Sequence, residues 1–164
     1  MFDAFEIFSI SPSYEIDVEK LTQTYFNLQN QNHPDRFING SVQERERAET
    51  KGADINKAYQ LLKDPVSRAE LLLSSFKKEP SFESLSEQMA LREELETLKD
   101  PIQREAFAKK IEALFLVKEK ALEICFREEK FEDASVVLVD LKYLEKLKTK
   151  FRHPDGACAP QDDE

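Results

Sequence analysis

His33 and Asp35, with only Pro34 between them, are the two side chains whose types and spacing best fit a chemical task in this chain of 164 residues. An imidazole beside a carboxylate can pass a proton, supply part of a metal site, or present a fixed donor and acceptor to another molecule. The first two uses need more than the pair. Acid-base work requires a shell that holds the groups in a cleft, and zinc sites usually need three or four convergent ligands. The chain has two histidines and neither sits in such a setting, so we expect no enzyme activity, no metal and no cofactor. That leaves recognition, or plain turn punctuation, since Asp favours turns and Pro sets them. His153-Pro154-Asp155 repeats the tripeptide, but no amphipathic segment follows it, and we read the repeat as coincidence.

The elements on either side must position the pair. Upstream, Leu21, Tyr25 and Leu28 recur at helical spacing; downstream, Ala48, Ile55, Tyr59 and Leu62 do the same. Each segment therefore has one face to bury, and the two faces most simply bury each other. Pro34 lacks a backbone donor and pushes His33 out of the α region, so the first helix should stop near Asn32. His33 and Asp35 are then exposed at the tip of a helical hairpin.

Past the tip come Ile55-Asn56-Lys57-Ala58-Tyr59, Leu61-Leu62, Asp64-Pro65, Arg68-Ala69 and Leu71-Leu72. This run, after His33-Pro34-Asp35 at the end of a helix, resembles the J-domain. Leu91-Arg92-Glu93-Glu94-Leu95 narrows the resemblance to the HscB family, the J-proteins of iron-sulfur cluster assembly, over about Phe2 to Phe151. The resemblance implies that the tripeptide contacts a DnaK-type (HscA-like) chaperone and triggers its ATP hydrolysis, with His33, Pro34, Asp35, Arg36 and Lys20 as chaperone-binding residues. It also implies that the second domain holds the cluster scaffold, an IscU-like protein, through Leu85, Met89, Glu93 and Tyr143. Two features depart from the family. J-domains usually carry several basic residues on the helix before the tip, whereas here Gln23, Thr24, Asn27, Gln29, Asn30 and Gln31 are neutral and Lys20 alone is basic, so electrostatic steering should be weaker. Arg36, Arg45 and Arg47 either compensate or simply solubilise the surface. Ser86 and Ala90 stand where the family can add scaffold contacts, which implies a smaller surface. Some relatives also bind metal through an N-terminal pair of CxxC motifs; this chain starts directly at the J-like part, and no zinc is implied.

Composition agrees with that reading. With 40% hydrophobic and 35% charged residues the chain can bury a core in one domain or two small ones. Three glycines and no Trp, with abundant Glu, Lys and Leu, favour helix. A net charge of -9 argues against non-specific nucleic-acid binding and against an anionic membrane surface. Cys125 and Cys158 are far apart in sequence and suit a reducing compartment better than a disulfide scaffold; Cys125, in an apolar pattern, reads as core rather than as a reactive thiol. No apolar run reaches membrane-spanning length and the N-terminus lacks a signal core. We expect a cytoplasmic location.

Taken in order, Phe2, Phe5, Ile7 and Phe8 form a short apolar segment that should dock on the hairpin. Asp17 is an N-cap for a helix from Val18 to about Asn32, and a third helix runs from about Ser41 to Lys63. Gly52 inside it points to close packing or slight bending. Asp64-Pro65 opens a further helix through about Ser74. We place a J-domain at 1–75, a linker at 76–83, a scaffold-binding three-helix bundle at 84–151 and a disordered tail at 152–164. In the bundle one helix runs from about Leu85 to Lys99 and the next starts at Asp100-Pro101. Nothing between Cys125 and Ala134 is Gly or Pro, so periodicity would allow one rod of about 50 residues, roughly 75 Å long. We expect a break near Glu128 to Phe131 instead, because a rod would need a second chain to cover its stripe.

Leu91, Leu95 and Leu98 share one stripe of the first bundle helix, while Leu85 and Met89 fall roughly 130° away. Val136, Val139 and Tyr143 likewise lie off the stripe of Val137, Leu141, Leu144 and Leu147. A double stripe means either a helix buried on two sides or an exposed apolar patch that binds something. The fold expected is all-α. The function implied is a non-enzymatic co-chaperone; the alternatives are a general J-protein delivering other clients, against which the missing Gly/Phe-rich linker and cysteine-rich zinc region speak, and a structural helical-bundle protein with a fortuitous tripeptide.

Overall fold

The computed structural model describes residues 2–37, 40–76 and 79–152. Among them every regular element is helical, and no helix is long and apolar enough to cross a membrane. Of the tail expected at 152–164, Arg152 is the last residue of the final helix, and the rest, with His153-Pro154-Asp155 and Cys158, lies outside the described residues. The chain divides into two compact units, residues 1–74 and 75–164.

The first unit holds α1 (Ala4–Ile7), α2 (Val18–Gln31), a 3-10 turn (Pro34–Phe37), α3 (Val42–Lys63) and α4 (Pro65–Leu72). Its core joins Phe5 and Phe8 to Leu21 of α2 and to Ile55, Ala58, Tyr59 and Leu62 of α3, with Tyr25 and Leu28 packed at the edge. The two apolar stripes do cover each other, and the Phe-rich N-terminal segment closes the hairpin. Local chemistry starts each helix. Asp17 accepts from the Lys20 N–H at 2.9 Å. Ser41 and Glu44 form a reciprocal capping box, and the hydrogen bonds from Ser41 hold the Glu44 carboxyl below its ordinary range. Asp64 ends α3 and caps α4 through the Ser67 N–H at 2.6 Å. Arg68, buried on α4, donates to the Leu62 carbonyl at 2.6 Å and lies over the Tyr14 ring, so it satisfies a C-terminal carbonyl of α3.

Gly52 does not serve close packing. A Cβ built there meets nothing within 4 Å, so tightness is not what the glycine provides. Gly52→Ala should raise stability by about 0.5–1 kcal/mol, the ordinary helix-interior difference between the two residues. A denaturant midpoint that falls instead would show that the position depends on glycine's backbone freedom.

The second unit holds α5 (Phe82–Thr97), α6 (Pro101–Arg127) and α7 (Phe131–Arg152). Leu91 of α5, Phe107 and Ile111 of α6, and Leu144 and Leu147 of α7 meet in the core, with Leu95, Leu98, Leu114, Phe115 and Tyr143 around them. The break after α6 is present without Gly or Pro. Glu129 takes φ 56, the Lys130 N–H donates to Cys125 O at 2.9 Å and the Glu129 N–H to Phe126 O at 3.2 Å. That is a Schellman turn with glutamate at the left-handed position where glycine is usual. Phe126 and Phe76 both pack against Phe131 at the start of α7. Helix α5 begins at Phe82 with Ser81 as its N-cap, earlier than the Leu85 start expected from periodicity, because its first turn buries a serine rather than an apolar residue. Cys125 is a half-buried free thiol, and burial pushes its pKa above the ordinary thiol value.

Candidate functional site

The candidate residues fall into two sites, one in each unit. In the first, the 3-10 turn follows α2 directly, because Asn32 ends the helix: its backbone and side chain both donate to Leu28 O, the side chain at 2.7 Å. The Arg36 N–H then donates to His33 O at 3.0 Å and closes the turn. The side chains of His33 and Asp35 are 56% and 78% exposed, so both are open to a partner. Nδ1 of His33 lies 3.3 Å from the Asp35 N–H and 3.5 Å from the Asp35 carboxylate. One nitrogen cannot serve both at once. Without a proton this nitrogen accepts the backbone N–H through its lone pair; carrying one, it donates to the carboxylate. Either way the ring and the carboxylate are held side by side in one short turn.

A polar clamp fixes this tip relative to the hairpin. Asn56 of α3 accepts from Tyr25 OH at 2.7 Å and from the Gln29 amide at 2.8 Å. The Gln29 amide is also 3.3 Å from Gly52 O. Tyr25 stacks on Tyr59 with ring centroids 4.2 Å apart. Arg36 reaches back to Asn30 O at 3.4 Å, where a cation is favoured by the helix C-terminus. Lys20, by contrast, is exposed in the first turn of α2, about 20 Å along the helix from His33 at 1.5 Å per residue. The structure thus brings His33, Asp35 and Arg36 together and leaves Lys20 at the other end.

In the second unit the off-stripe residues of α5 are exposed: Leu85 at 45% and Met89 at 64%, with Glu93 also exposed. Phe82, at 89%, lies on the same face. Sequence reading missed it by assigning it to the linker; its spacing of three and seven residues from Leu85 and Met89 was the available signal. Tyr143 behaves differently. It is half-buried against the core, and its hydroxyl donates to the Gln88 carbonyl at 2.8 Å. Burial raises its pKa and keeps it a donor. Among the described residues no group of His, Cys, Asp and Glu is arranged to hold a metal.

Comparison with known proteins places both halves. A DnaJ domain model matches residues 3–71, and a model described as the HSCB C-terminal oligomerisation domain matches residues 80–152. A "Co-chaperone protein HscB homolog" from Photobacterium profundum is 34% identical over 158 residues, covering 88% of this chain and 91% of that protein. The structure of chaperone HscB from Vibrio cholerae superposes with TM-score 0.79 at 34% identity, covering 93% of this chain and 96% of that one. Human co-chaperone HscB shares the fold with TM-score 0.84 at 24% identity, covering 93% and 81%. With a J-domain hairpin in the first unit, a three-helix bundle in the second and this level of identity across both, the chain belongs to the HscB co-chaperone family.

Proposed function

We propose that this chain is a non-enzymatic co-chaperone that stimulates the ATPase of a DnaK-type, HscA-like chaperone and delivers to it an IscU-like iron-sulfur scaffold. The observation that carries the first half is the exposed His33–Asp35 turn held on a clamped hairpin. A recognition element fixed in this way loses little conformational freedom when a partner docks. The second half rests on the outer face of α5, where large apolar side chains stand in solvent at no benefit to the fold. Surfaces of that kind mark partner sites when several lie together.

The test is single-turnover ATP hydrolysis by a DnaK-type chaperone, with and without this chain and an IscU-like scaffold. Stimulation by the chain alone, increased further by the scaffold, is the expected result. No stimulation of any such chaperone would overturn the reading. Ionic strength adds a second measurement. Because Lys20 is the one basic residue on α2 and sits far from the tip, docking should weaken about threefold or less when salt is doubled near physiological strength. A steep loss would show that Arg36, Arg45 and Arg47 carry the contact.

A further inference from the structure

The first half of α5 is attached to its unit in an unusual way. Apolar burial on this helix is confined to the second half, at Leu91 and Leu95, with Leu98 at its C-cap. From Phe82 to Ala90 the one buried residue is Ser84. What ties this half down is polar. The Ser84 hydroxyl donates to Oδ1 of Asp140 on α7. The Gln88 amide lies 3.2 Å from Ser84 Oγ and 3.4 Å from the same Asp140 oxygen. Lys118 of α6 bridges Asp140 Oδ2 at 2.8 Å and Glu87 Oε2 at 3.3 Å. Tyr143 adds its hydrogen bond to the Gln88 carbonyl.

Asp140 is 7% exposed, and a carboxylate so far out of water needs hydrogen-bond donors from the protein in its place, which Ser84, Gln88 and Lys118 supply. Burial by itself would lower the Lys118 pKa; the Asp140 and Glu87 carboxylates more than offset it, and the ammonium is held above its ordinary range. The cavity beside the cluster, lined in part by Leu91, Leu114 and Leu144, is about 20 Å³, room for one water and for no ligand. The cluster is therefore a fastening. On a helical projection Ser84, Glu87, Gln88 and Leu91 share the inner face, and Phe82, Leu85, Met89 and Glu93 the opposite one.

We propose that Asp140, acting through Ser84, Gln88 and Lys118, is the positioning residue of the scaffold-facing surface: it sets the rotation and docking of the first half of α5, and so the direction in which Phe82, Leu85 and Met89 point. This rests on the reading that α5 carries the scaffold site. A network of this kind suits the task better than a leucine stripe, because hydrogen bonds fix direction whereas apolar contact is non-directional.

The experiment uses the full chain with Asp140→Asn, which keeps the shape and removes the charge, and with Tyr143→Phe, which removes one hydrogen bond and keeps the ring. Amide hydrogen exchange, affinity for an IscU-like scaffold and scaffold-free ATPase stimulation are measured for each. In Asp140→Asn, exchange over residues 82–90 should quicken and scaffold affinity fall about tenfold, the scale of a lost charged hydrogen bond. Exchange over the cores of α6 and α7, and scaffold-free stimulation, should stay as in the wild type. Tyr143→Phe should show the same pattern more weakly. Faster exchange throughout α5, α6 and α7 would make Asp140 a general stabiliser and overturn the proposal, as would unchanged affinity in a variant whose α5 has loosened. A wild-type chain that holds no scaffold would instead bring down the functional reading on which the proposal rests.

Discussion

Asp35→Ala should abolish stimulation of the chaperone ATPase while the chain stays folded. The Asp35 side chain is 78% exposed and its close neighbour is His33, itself more than half exposed, so little packing is lost. Exposed substitutions of this kind usually change stability by no more than about 0.5 kcal/mol. Docking is another matter. A carboxylate desolvated against a partner's cation costs about 2–5 kcal/mol when truncated, roughly thirtyfold or more in affinity, because the opposing charge is left buried and unpaired. His33→Gln and Pro34→Ala should follow, the first by removing the imidazole that flanks the carboxylate, the second by freeing the backbone that starts the turn. Circular dichroism melting of each variant, next to its ATPase stimulation, separates loss of contact from loss of fold. Full stimulation by a well-folded Asp35→Ala chain would remove the tripeptide from the mechanism.

The second large effect belongs to α5. Alanine at Phe82, Leu85 and Met89 together should weaken scaffold binding by about 3–5 kcal/mol, a hundredfold or more. Each side chain can contribute at most about 1.5–3 kcal/mol if docking buries it fully, and such contributions do not add. The melting temperature should hardly move, since all three are exposed. Were they core residues, each truncation of Leu or Met would cost about 2–5 kcal/mol of folding instead. Tyr143 is kept out of this variant because it is fastened to α5 through Gln88 and packs on the core; its truncation would mix stability with binding. Scaffold-free ATPase stimulation should persist. Unchanged scaffold affinity would move the search to α6, where Ile102, Leu116, Val117 and Ile124 are also exposed.

Much of this molecule is legible in its residues taken alone, and the legible part has a common cause. Signals that act over a few positions are written in the chain itself. Asp17, Asp64 and Asp100 each accept from the backbone N–H three residues on, so the residue type marks the helix start. The stripes of α2 and α3 dictate that they pair, and Pro34 dictates where the hairpin turns. Leu85 and Met89 stand off their stripe, and off-stripe apolar residues were either doubly buried or exposed; exposure follows once α6 and α7 are seen on the other side.

What tertiary structure decided is of two kinds. Some positions use a residue against its preference: Glu129 sits at φ 56, and no local rule distinguishes that glutamate from its helical neighbours, since only the benefit of folding α7 back on α6 offsets the unfavourable backbone. Gly52 is the converse, a residue that reads as a packing device and has open space where its side chain would be. The remainder is pairing at long range. Ser84 and Asp140 are 56 positions apart, and nothing in either neighbourhood announces the other. A serine, a glutamine, a lysine and an aspartate scattered over three helices read as solvated polar residues until the helices pack. Their shared burial then makes each the partner the others require, because a charge removed from water must find its donors within the fold.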